Sequence, residues 1–353
     1  MSGRATGRSR RIAALLLAAA CAFPLVACGS GATLVTAPST TPADPARPSP
    51  GSAGEPVGLA WFPLRGTPAP QGATPHPSLG VKIDNHPEAR PQIALNRADI
   101  VFEELVEGGL TRYLAVWHSD VPPEIGPVRS VRPMDPDLIT PFGGMIAYSG
   151  GQDQFVEMML AAPVENLVFD FDDTGLFARA DERPGPHDVI LDAGEAMRRF
   201  ASLPAPPVQF AYGTADPLAA PALAAAPTSR IDLPFSEGSP RSWEWDPAAS
   251  AWVRSQDGAP DVEASGERVR ATNVVTLKVG VEWPYGDVPR TVVVGTGEAW
   301  VSVAGRSAHG TWSKDSPGAP FVLTGEDGTP LRLAPGTTWV ELVPAPNSVT
   351  FAP

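Results

Sequence analysis

The densest group of residues that could do chemistry lies between Ala98 and Pro133, where charged side chains alternate with apolar ones. It contains four acids and three arginines: Asp99, Glu103, Glu104, Glu107, Arg112, Arg129 and Arg132. A buried charge must be paired to offset the cost of its desolvation, so this pattern favours an internal ion-pair network. Arginine also binds carboxylate and phosphate groups through paired hydrogen bonds. The sequence therefore leaves open a second interpretation, a cleft that binds an anionic ligand.

A constrained loop carries the arginines best suited to contact such a ligand. Arg129 and Arg132 stand three apart in the segment Gly126–Pro133, where glycine and proline restrict the backbone. A carboxylate such as Glu107 could pair with one of these arginines and still hold it in position for a ligand. The expected ligand-binding set is Asp84, Asn85, Arg90, Arg112, Arg129, Ser130 and Arg132.

Four residues are candidates for catalysis, although no complete catalytic signature is present. Glu103 and Glu107 could form the carboxylate pair of a glycosidase, but that mechanism depends on a separation that sequence cannot supply. Ser130 and His187 could act as nucleophile and base, yet the Gly-x-Ser-x-Gly elbow is missing. A non-catalytic binding or scaffolding protein is therefore favoured over a cell-wall hydrolase or transferase.

Metal binding has one acidic candidate, formed by Asp170, Asp172 and Asp173. Calcium accepts such closely spaced oxygens, but the complete EF-hand loop and its terminal glutamate are absent. An acidic turn is the favoured interpretation, and no cofactor is expected. Asp84, Asn85 and His86 could also contribute metal ligands, but adjacent residues on a strand point to opposite faces.

Strands are expected to position most of these residues. Leu79–Asp84 alternates apolar and polar residues, and Asp99–Val106 and Leu110–His118 are predicted to form two strands joined by a Gly-Gly turn. On such a strand Glu103 and Glu104 point to opposite faces. The loop 178–190, which contains His187, is expected to fold onto the cleft of this first domain and to bring a side chain that titrates near neutrality.

The remaining pattern predicts two domains of different class. Strand-like runs at 143–149 and 164–171 flank a helix at 152–161, which indicates an α/β or α+β first domain with a mixed sheet. Beyond residue 230 come evenly spaced short strands without helices, which indicate a small all-β barrel or sandwich. The predicted N-terminal domain is 57–202, a Pro/Ala-rich connector is 203–229, and the C-terminal β-domain is 230–353.

The first 56 residues predict export and anchoring. Four arginines precede an apolar run that is too short for a membrane span of about 20 residues, which is typical of a secretory signal peptide over residues 1–27. The run ends in Leu25-Val26-Ala27-Cys28, a pattern similar to the bacterial lipobox, so Cys28 is the expected lipidation site. Residues 28–56 are rich in Ser, Thr, Pro, Ala and Gly, and are predicted to be a disordered tether.

The charge and the cysteine content of the chain limit the classes of partner and the chemistry that we expect. The formal charge is −13, and removal of residues 1–27 takes away four arginines and no acid, which leaves −17. Such a strongly negative charge argues against nucleic acid as a partner and against electrostatic adhesion to anionic lipid. The expected partners are the membrane, through the lipid anchor at the extracytoplasmic face, and an anionic envelope ligand or a protein. Cys21 and Cys28 both precede the folded body, so no disulfide or thiol chemistry is expected there.

Several long motifs resemble one family. VKIDNHPEARPQIALNRADIVFEELVEGGLTRYLAVWHS at 81–119 and GPVRSVRP at 126–133 look like the signature of YerB-like bacterial lipoproteins. The resemblance extends to about residue 350 through RPGPH, WEWD, NVVT and GTWSK. It implies a lipoprotein built from two domains of unknown function, so no established activity can be transferred to this chain.

Overall fold

The computed structural model describes residues 59–353. The signal peptide, the lipidation site Cys28 and the tether, all predicted from the first 56 residues, lie outside this range. No helix in residues 59–353 is long and apolar enough to cross a membrane.

Strands dominate the described part of the chain, and helices are few and short. The strands are β1 (Trp61–Phe62), β2 (Thr67–Pro68), β3 (Leu79–Asp84), β4 (Ile100–Leu105), β5 (Thr111–Trp117), β6 (Glu124–Ile125), β7 (Met145–Tyr148), β8 (Glu165–Val168), β9 (Phe177–Arg179), β10 (Val189–Asp192), β11 (Ala226–Pro227), β12 (Arg230–Pro234), β13 (Pro240–Asp246), β14 (Ala251–Gln256), β15 (Ala259–Pro260), β16 (Arg270–Ala271), β17 (Asn273–Tyr285), β18 (Val288–Val292), β19 (Gly295–Val303), β20 (Arg306–Lys314), β21 (Val322–Gly325), β22 (Thr338–Pro344) and β23 (Thr350–Ala352). The α-helices are α1 (Asp135–Ile139), α2 (Asp153–Leu160) and α3 (Ala193–Arg199). Short 3-10 helices span Pro87–Ala89, Leu95–Arg97, Glu107–Gly109, Thr140–Phe142, Phe169–Phe171 and Pro221–Leu223.

A mixed sheet of twelve strands forms the centre of the fold. Its strand order is β11-β20-β19-β17-β22-β4-β5-β3-β7-β8, with β18 beside β17 and β21 beside β20. Strand β22 is parallel to both β17 and β4, so it joins the strands of the second half of the chain to those of the first. All seven residues of β22 are buried, as expected for a strand that is paired on both sides.

The predicted fold class is therefore only partly right. The mixed sheet is present, and the predicted hairpin of β4 and β5 is confirmed. The structure does not, however, divide clearly into an α/β domain and a separate small β-domain, because the later strands extend the same sheet. Pairing across distant parts of the chain produces this continuity, and local periodicity carries no information about it.

Each face of the twelve-stranded sheet is covered by a different layer. A six-stranded sheet made of β12–β16 and β23 packs on one face, where Trp243 and Trp252 join Tyr113 and Trp339 in a buried core. On the other face, residues of α1 and α2 pack in a second core. The charged side chains of the central strands must therefore find partners in one layer or the other.

The Pro/Ala-rich segment 203–229 lies against the body of the protein. Gln209 Nε2 donates to Pro141 O at 3.0 Å, and the Tyr212 hydroxyl donates to Leu64 O at 2.5 Å. Phe210 and Leu218 are buried in the core that contains α1 and α2. Although its composition is that of a connector, a few apolar residues anchor the segment to the fold.

A buried ion-pair network centred on Glu103 connects the two sheets. Its carboxylate accepts from Arg241 Nε at 2.9 Å and pairs with Arg254, both from the six-stranded sheet. The Thr111 hydroxyl, from the neighbouring β5, donates at 2.6 Å. Burial works to raise the pKa of Glu103, but the charges of Arg254 and Arg241 outweigh it and lower the pKa to about 2.

A second glutamate, Glu341, stands next to Glu103 in the parallel pair of β22 and β4. Trp243 Nε1 donates to its carboxyl at 2.7 Å. Burial, and then repulsion from the Glu103 charge, raises the pKa of Glu341 to about 8. Of these two adjacent buried carboxyls, one is ionised and the other carries a proton at neutral pH.

Glu104 points to the opposite face from Glu103, as its place on the strand predicts. There it pairs with Lys82 of β3, whose ammonium also lies 2.9 Å from Asp135 of α1. All three side chains are inaccessible to solvent. Burial, and then repulsion from Asp135, raises the pKa of Glu104 to about 7. The charges of one strand thus hold two different layers to the sheet.

Replacing Glu103 by alanine tests the network between the sheets. The change leaves Arg241 and Arg254 buried without their shared carboxylate, so we expect it to lower the free energy of unfolding by about 3–5 kcal/mol. Urea denaturation measures this loss. Glu244→Ala is the control, because it removes an exposed pair with Arg230 and should change the free energy by about 1 kcal/mol or less. Equal losses in the two variants would contradict the assignment.

Replacing Glu341 by glutamine tests the protonated carboxyl. Its folded-state pKa of about 8 lies above the reference value of 4.5, so its contribution to stability is complete below pH 4.5 and is lost as the pH rises through about 8. We expect the free energy of unfolding of Glu341→Gln to fall less than that of the wild type across this range. Denaturant titrations at several pH values measure the slopes, and parallel curves would refute the prediction.

Candidate functional site

Asp84, the last residue of β3, is the centre of a polar cluster. Its Oδ2 lies 2.6 Å from His187 Nδ1 and 3.2 Å from Arg129 Nε. Its Oδ1 accepts the backbone amide of His86 at 3.0 Å. Asp84 is 2% exposed, so these partners replace the water that its charge has lost. One carboxylate thereby gathers three segments that are distant in sequence.

Backbone pairing places the neighbours of Asp84. Across the antiparallel pair of β3 and β5, Asp84 stands opposite Arg112. The segment Gly126–Pro133 runs along β3, where Asp84 N donates to Pro127 O at 3.0 Å and Arg129 N donates to Lys82 O at 2.8 Å. Backbone pairing therefore places Arg112 and Arg129 on two different sides of Asp84.

The loop 178–190 was expected to fold onto the cleft of the first domain. It lies against the turn that follows β3. Arg183 donates to Ala89 O at 2.9 Å and to Pro91 O at 2.7 Å. His187 N donates to Pro184 O at 2.9 Å within the loop, and the His187 side chain is turned inwards to Asp84. This loop forms one wall of the cluster.

Two of the predicted ligand-binding arginines, Arg90 and Arg132, donate hydrogen bonds to carboxylates. Arg132 donates to both oxygens of Glu107, with its Nε at 2.7 Å from Oε2. Arg90 donates to Asp257 at 2.6 Å and to Asn85 Oδ1 at 3.2 Å. Burial works against ionisation of Glu107, but the hydrogen bonds and charge of Arg132 outweigh it and lower the pKa to about 2. These contacts fit the ion-pair interpretation of the pattern.

Arg112 and Arg129 are less completely paired. Arg112 donates to Ser130 O at 3.0 Å, and its closest carboxylate, that of Glu107, is 3.8 Å away. Burial, and then repulsion from Arg132, lowers the pKa of Arg112 to about 10, which still leaves it charged at neutral pH. The Nε atom of Arg129 forms an ion pair with Asp84, and the Arg129 side chain is 22% exposed. These two guanidiniums have donors to spare for a ligand.

A small cavity of about 100 Å³ opens beside these arginines. Its volume is well below the range of about 300–1,000 Å³ that is usual for drug-sized ligands, so it suits a single charged group. The lining residues are Asp84, His86, Val106, Glu107, Leu110, Thr111, Arg112, Arg129 and His187. Five of these nine residues belong to the predicted candidates: Asp84, Glu107, Arg112, Arg129 and His187.

The structure places the members of the predicted catalytic pairs among different partners. Ser130 Oγ lies 3.4 Å from Ser149 Oγ, and within residues 59–353 no hydrogen bond joins Ser130 to His187. Glu107 lines the cavity, whereas Glu103 is buried against Arg241 and Arg254. The two glutamates thus face different surroundings.

In the acidic turn at 170–173, the carboxylate of Asp172 accepts hydrogen bonds from residues that follow it in the chain. Asp172 Oδ1 accepts from the amide and hydroxyl of Thr174 at 2.9 and 2.5 Å, and Oδ2 accepts from Phe177 N at 3.2 Å. Although burial opposes it, the bonding to Thr174 lowers the pKa of Asp172. The Asp170 side chain lies against Gly150, and Asp173 is exposed. This geometry is that of a self-capped turn.

Two residues near Asp84, His86 and Glu88, lie outside the predicted ligand-binding and catalytic sets, although the sequence offers His86 as a possible metal ligand. The His86 ring stacks on that of His187 with centroids 4.6 Å apart and planes inclined by 6°. Glu88 Oε2 lies 3.6 Å from His187 Nε2 and 3.8 Å from His86 Nδ1. The spacing His-x-Glu after a strand was the visible signal, but the third member is 99 residues away from Glu88.

Replacing Asp84 by alanine tests its role as the centre of the cluster. Loss of the carboxylate removes the side-chain bond to His187, so we expect faster amide hydrogen exchange in residues 180–188. Hydrogen-exchange mass spectrometry resolves this segment. Asp173→Ala, which removes an exposed acid in the same half of the chain, is the control and should leave the exchange unchanged. Unaltered exchange in Asp84→Ala would show that the loop is held by its other contacts.

Known proteins resemble this chain along most of its length. Residues 64–203 match the family described as protein of unknown function (DUF3048) N-terminal domain, and residues 231–340 match its C-terminal domain. The "Putative lipoprotein YerB" of Bacillus subtilis (strain 168) is 28% identical over 296 residues, which cover 80% of this chain and 86% of that protein.

A solved structure shares the fold. The crystal structure of YerB protein from Bacillus subtilis matches with a TM-score of 0.73 at 23% identity, covering 83% of this chain and 99% of that one. The order of the two domains, the shared fold and the motifs around Asp84 lead to one conclusion. The chain belongs to the YerB-like lipoprotein family, which is built from the N- and C-terminal DUF3048 domains.

Proposed function

We propose that this protein is a lipid-anchored envelope protein of the extracytoplasmic face, whose body binds a small anionic group in the cavity between Arg112 and Arg129. The observation that carries the proposal is the incomplete pairing of these two arginines beside a cavity of about 100 Å³. A carboxylate or a phosphate of an envelope component is the class of ligand that fits them.

The charge balance of the cavity favours an anion. Arg112, Arg129 and the adjacent Arg132 contribute three positive charges, and Glu107 and Asp84 contribute two negative ones. Since Arg132 takes both oxygens of Glu107, that acid does little to neutralise Arg112. An incoming oxyanion would restore the pairing that the buried Arg112 lacks, and this gain is larger in a buried site than at the surface.

The other two predicted arginines, Arg90 and Arg132, have different roles. Arg132 holds Glu107 in the wall of the cavity, whereas Arg90 binds Asp257 and Asn85, which do not line it. In this proposal Arg132 positions the site, and only Arg112 and Arg129 donate to the ligand. A carboxylate that fixes one arginine beside another leaves the second available for binding.

The proposal is tested by calorimetric titration of the full chain, purified in a mild detergent, with inorganic phosphate and with acetate. Arg112→Ala and Arg129→Ala should each weaken binding by about tenfold or more, because each removes a charge-assisted hydrogen bond of roughly 1.5–3 kcal/mol. Arg306→Ala, at an exposed arginine in the second half of the chain, should bind like the wild type.

Substitution of Glu107 is not expected to weaken phosphate binding, in contrast to substitution of the two arginines. Glu107→Gln removes a negative charge from the lining and loosens Arg132, so we expect it to retain or strengthen the binding of phosphate. Incubation of the same proteins with cell-wall fragments checks for turnover, and products that disappear in Glu107→Gln would support the hydrolase alternative. Binding that is indifferent to both arginines would refute the proposal.

A further inference from the structure

One end of the twelve-stranded sheet is a surface that the proposed anion cavity does not use. Strand β8 is the last strand at this end, and within residues 59–353 it pairs with β7 alone. We propose that β8 is a docking edge for an extended segment of a partner protein, which adds a strand to the sheet and carries apolar side chains together with lysine or arginine. The residues beside β8 are distinct from those around Arg112 and Arg129, so this inference does not rest on the proposed function.

The pairing of β8 with β7 shows which backbone groups of β8 face outwards. Glu165 N donates to Gly144 O, just before β7, at 2.9 Å. Backbone groups alternate in direction along a strand, so the N–H and C=O of Leu167 also face β7. Those of Asn166 and Val168 face away from the sheet. They offer a partner strand a row of donors and acceptors.

An apolar groove of about 360 Å³ runs beside this edge, and all four residues of β8 line it. Leu160 at the end of α2 borders the groove, and so does Phe200, which follows α3 and packs against the opposite core. Leu160 is 53% exposed, and Phe171, also in the lining, is 67% exposed. Large apolar side chains that remain accessible around a groove are typical of an interaction surface.

The two layers beside the edge determine what an added strand would contact. Val168 packs in the core that contains α1 and α2, whereas Leu167 packs in the core on the other face of the sheet. Successive side chains of a strand point to opposite faces. An added strand would therefore direct alternate side chains towards Leu160 and towards Phe200, and apolar residues suit both positions.

The charge of the lining selects a basic partner. Glu165 and Asp173 are exposed acids of the groove. Arg199, the cation of the lining, pairs with Glu195 at 2.5 Å and so does not neutralise those two acids. With Asp172 included, the lining has three negative charges and one positive charge. Lysine or arginine on the incoming segment would complement this charge, and an acidic segment would be repelled.

A neighbouring cavity extends the acidic surface. It has a volume of about 400 Å³ and shares Leu176 and Phe177 with the groove. Its charged lining residues are Glu124, Arg179, Glu182 and Asp192. A segment that continues past β8 towards β9 would therefore remain on a surface of negative charge, which again favours a basic partner.

The opposite end of the same sheet is built differently. It ends in β11, which has two residues, and the second of them is Pro227. Short edge strands and proline are devices that prevent an edge from pairing, because proline has no N–H to donate. Strand β8 has four residues and contains no proline. This comparison favours β8 as the end that is available to a partner.

The probe for the experiment is a displayed library of random linear peptides. The library is selected on the full chain, purified in a mild detergent, after depletion on Asn166→Pro. Proline removes the outward N–H of residue 166, at a position of the kind that an edge strand tolerates. We expect the selection to enrich peptides in which apolar residues alternate and lysine or arginine is present.

Fluorescence anisotropy of an enriched peptide measures the contribution of the edge. Asn166→Pro should weaken binding by about tenfold or more, because it removes a hydrogen bond and places a ring at the edge. Asn166→Ala is the matched control and should bind nearly like the wild type. Both variants lose the side-chain bond with the Tyr148 hydroxyl, so their difference reports the backbone N–H.

Charge reversal tests the acids of the groove. Glu165→Lys and Asp173→Lys should each weaken binding by about threefold or more at low salt, and by less at high salt, because exposed charges are screened. Glu237→Lys reverses an exposed acid in the second half of the chain and should bind like the wild type.

N-methylation of the peptide tests strand pairing without altering the protein. In an added strand, alternate N–H groups face β8 and the others face solvent. Methylation of one alternate set should therefore abolish binding, and methylation of the other set should preserve it. This comparison decides the question even if circular dichroism shows that Asn166→Pro has lost its fold.

Three outcomes would overturn the proposal. The first is a selection that enriches no peptide, and the second is an equal effect of the two methylated sets. The third is a wild type that is a dimer in solution and an Asn166→Pro variant that is a folded monomer, because a second copy would then occupy the edge. Phosphate titration with Arg112→Ala tests the anion cavity separately, so either proposal can fail while the other stands.

Discussion

The pairing of buried charge is the constraint on which the rest of this structure depends. Glu103 lies between two sheets with no exposed surface, and its charge is retained there only because Arg241 and Arg254 approach it from the opposite layer. An isolated carboxylate in that position would be neutralised by a proton, as happens to its neighbour Glu341, whose pKa is raised to about 8. The packing of the six-stranded sheet on the central sheet is thus tied to the ionisation of one residue.

The pairing of buried charge also determines the arrangement of the candidate site, but there it leaves a cavity. Asp84 is as buried as the carboxylates of the core, but its partners come from loops and leave a cavity between them. Where a charged group is paired by rigid neighbouring strands, the result is a closed network. At the end of β3, where the strand gives way to a turn, the same pairing produces a polar pocket with two arginines and two histidines on its walls.

Comparison of the two clusters explains why one is proposed as a site. In the core every arginine of the Glu103 network meets a carboxylate, and its members are inaccessible to solvent. Around Asp84 the pairing is incomplete, and His86 and Glu88 remain accessible. Incomplete pairing of a buried guanidinium costs stability, and perturbed charges of this kind cluster at functional sites. This contrast is the physical basis of the proposed anion cavity.

Local sequence was sufficient for the elements and for part of the site. Alternation predicted β3, β4 and β5 together with their hairpin, and the opposite directions of Glu103 and Glu104 followed from the pleat of one strand. The concentration of arginines and acids correctly indicated ion pairs. It could not assign the partners of Glu103, because Arg241 and Arg254 stand more than a hundred residues away in sequence from that stretch.

Tertiary structure alone decided the arrangement of the strands and the composition of the site. The sequence by itself determined the family, the strand-rich pattern and the residue types near Asp84. Only the parallel pairing of β22 with β4 made the two halves share one sheet, and only the folding of the loop 178–190 brought His187 onto His86 and Glu88. The physical reason is the same in both cases: periodicity reports the face that a residue presents to its neighbours, whereas long-range pairing depends on the net free energy of the whole fold.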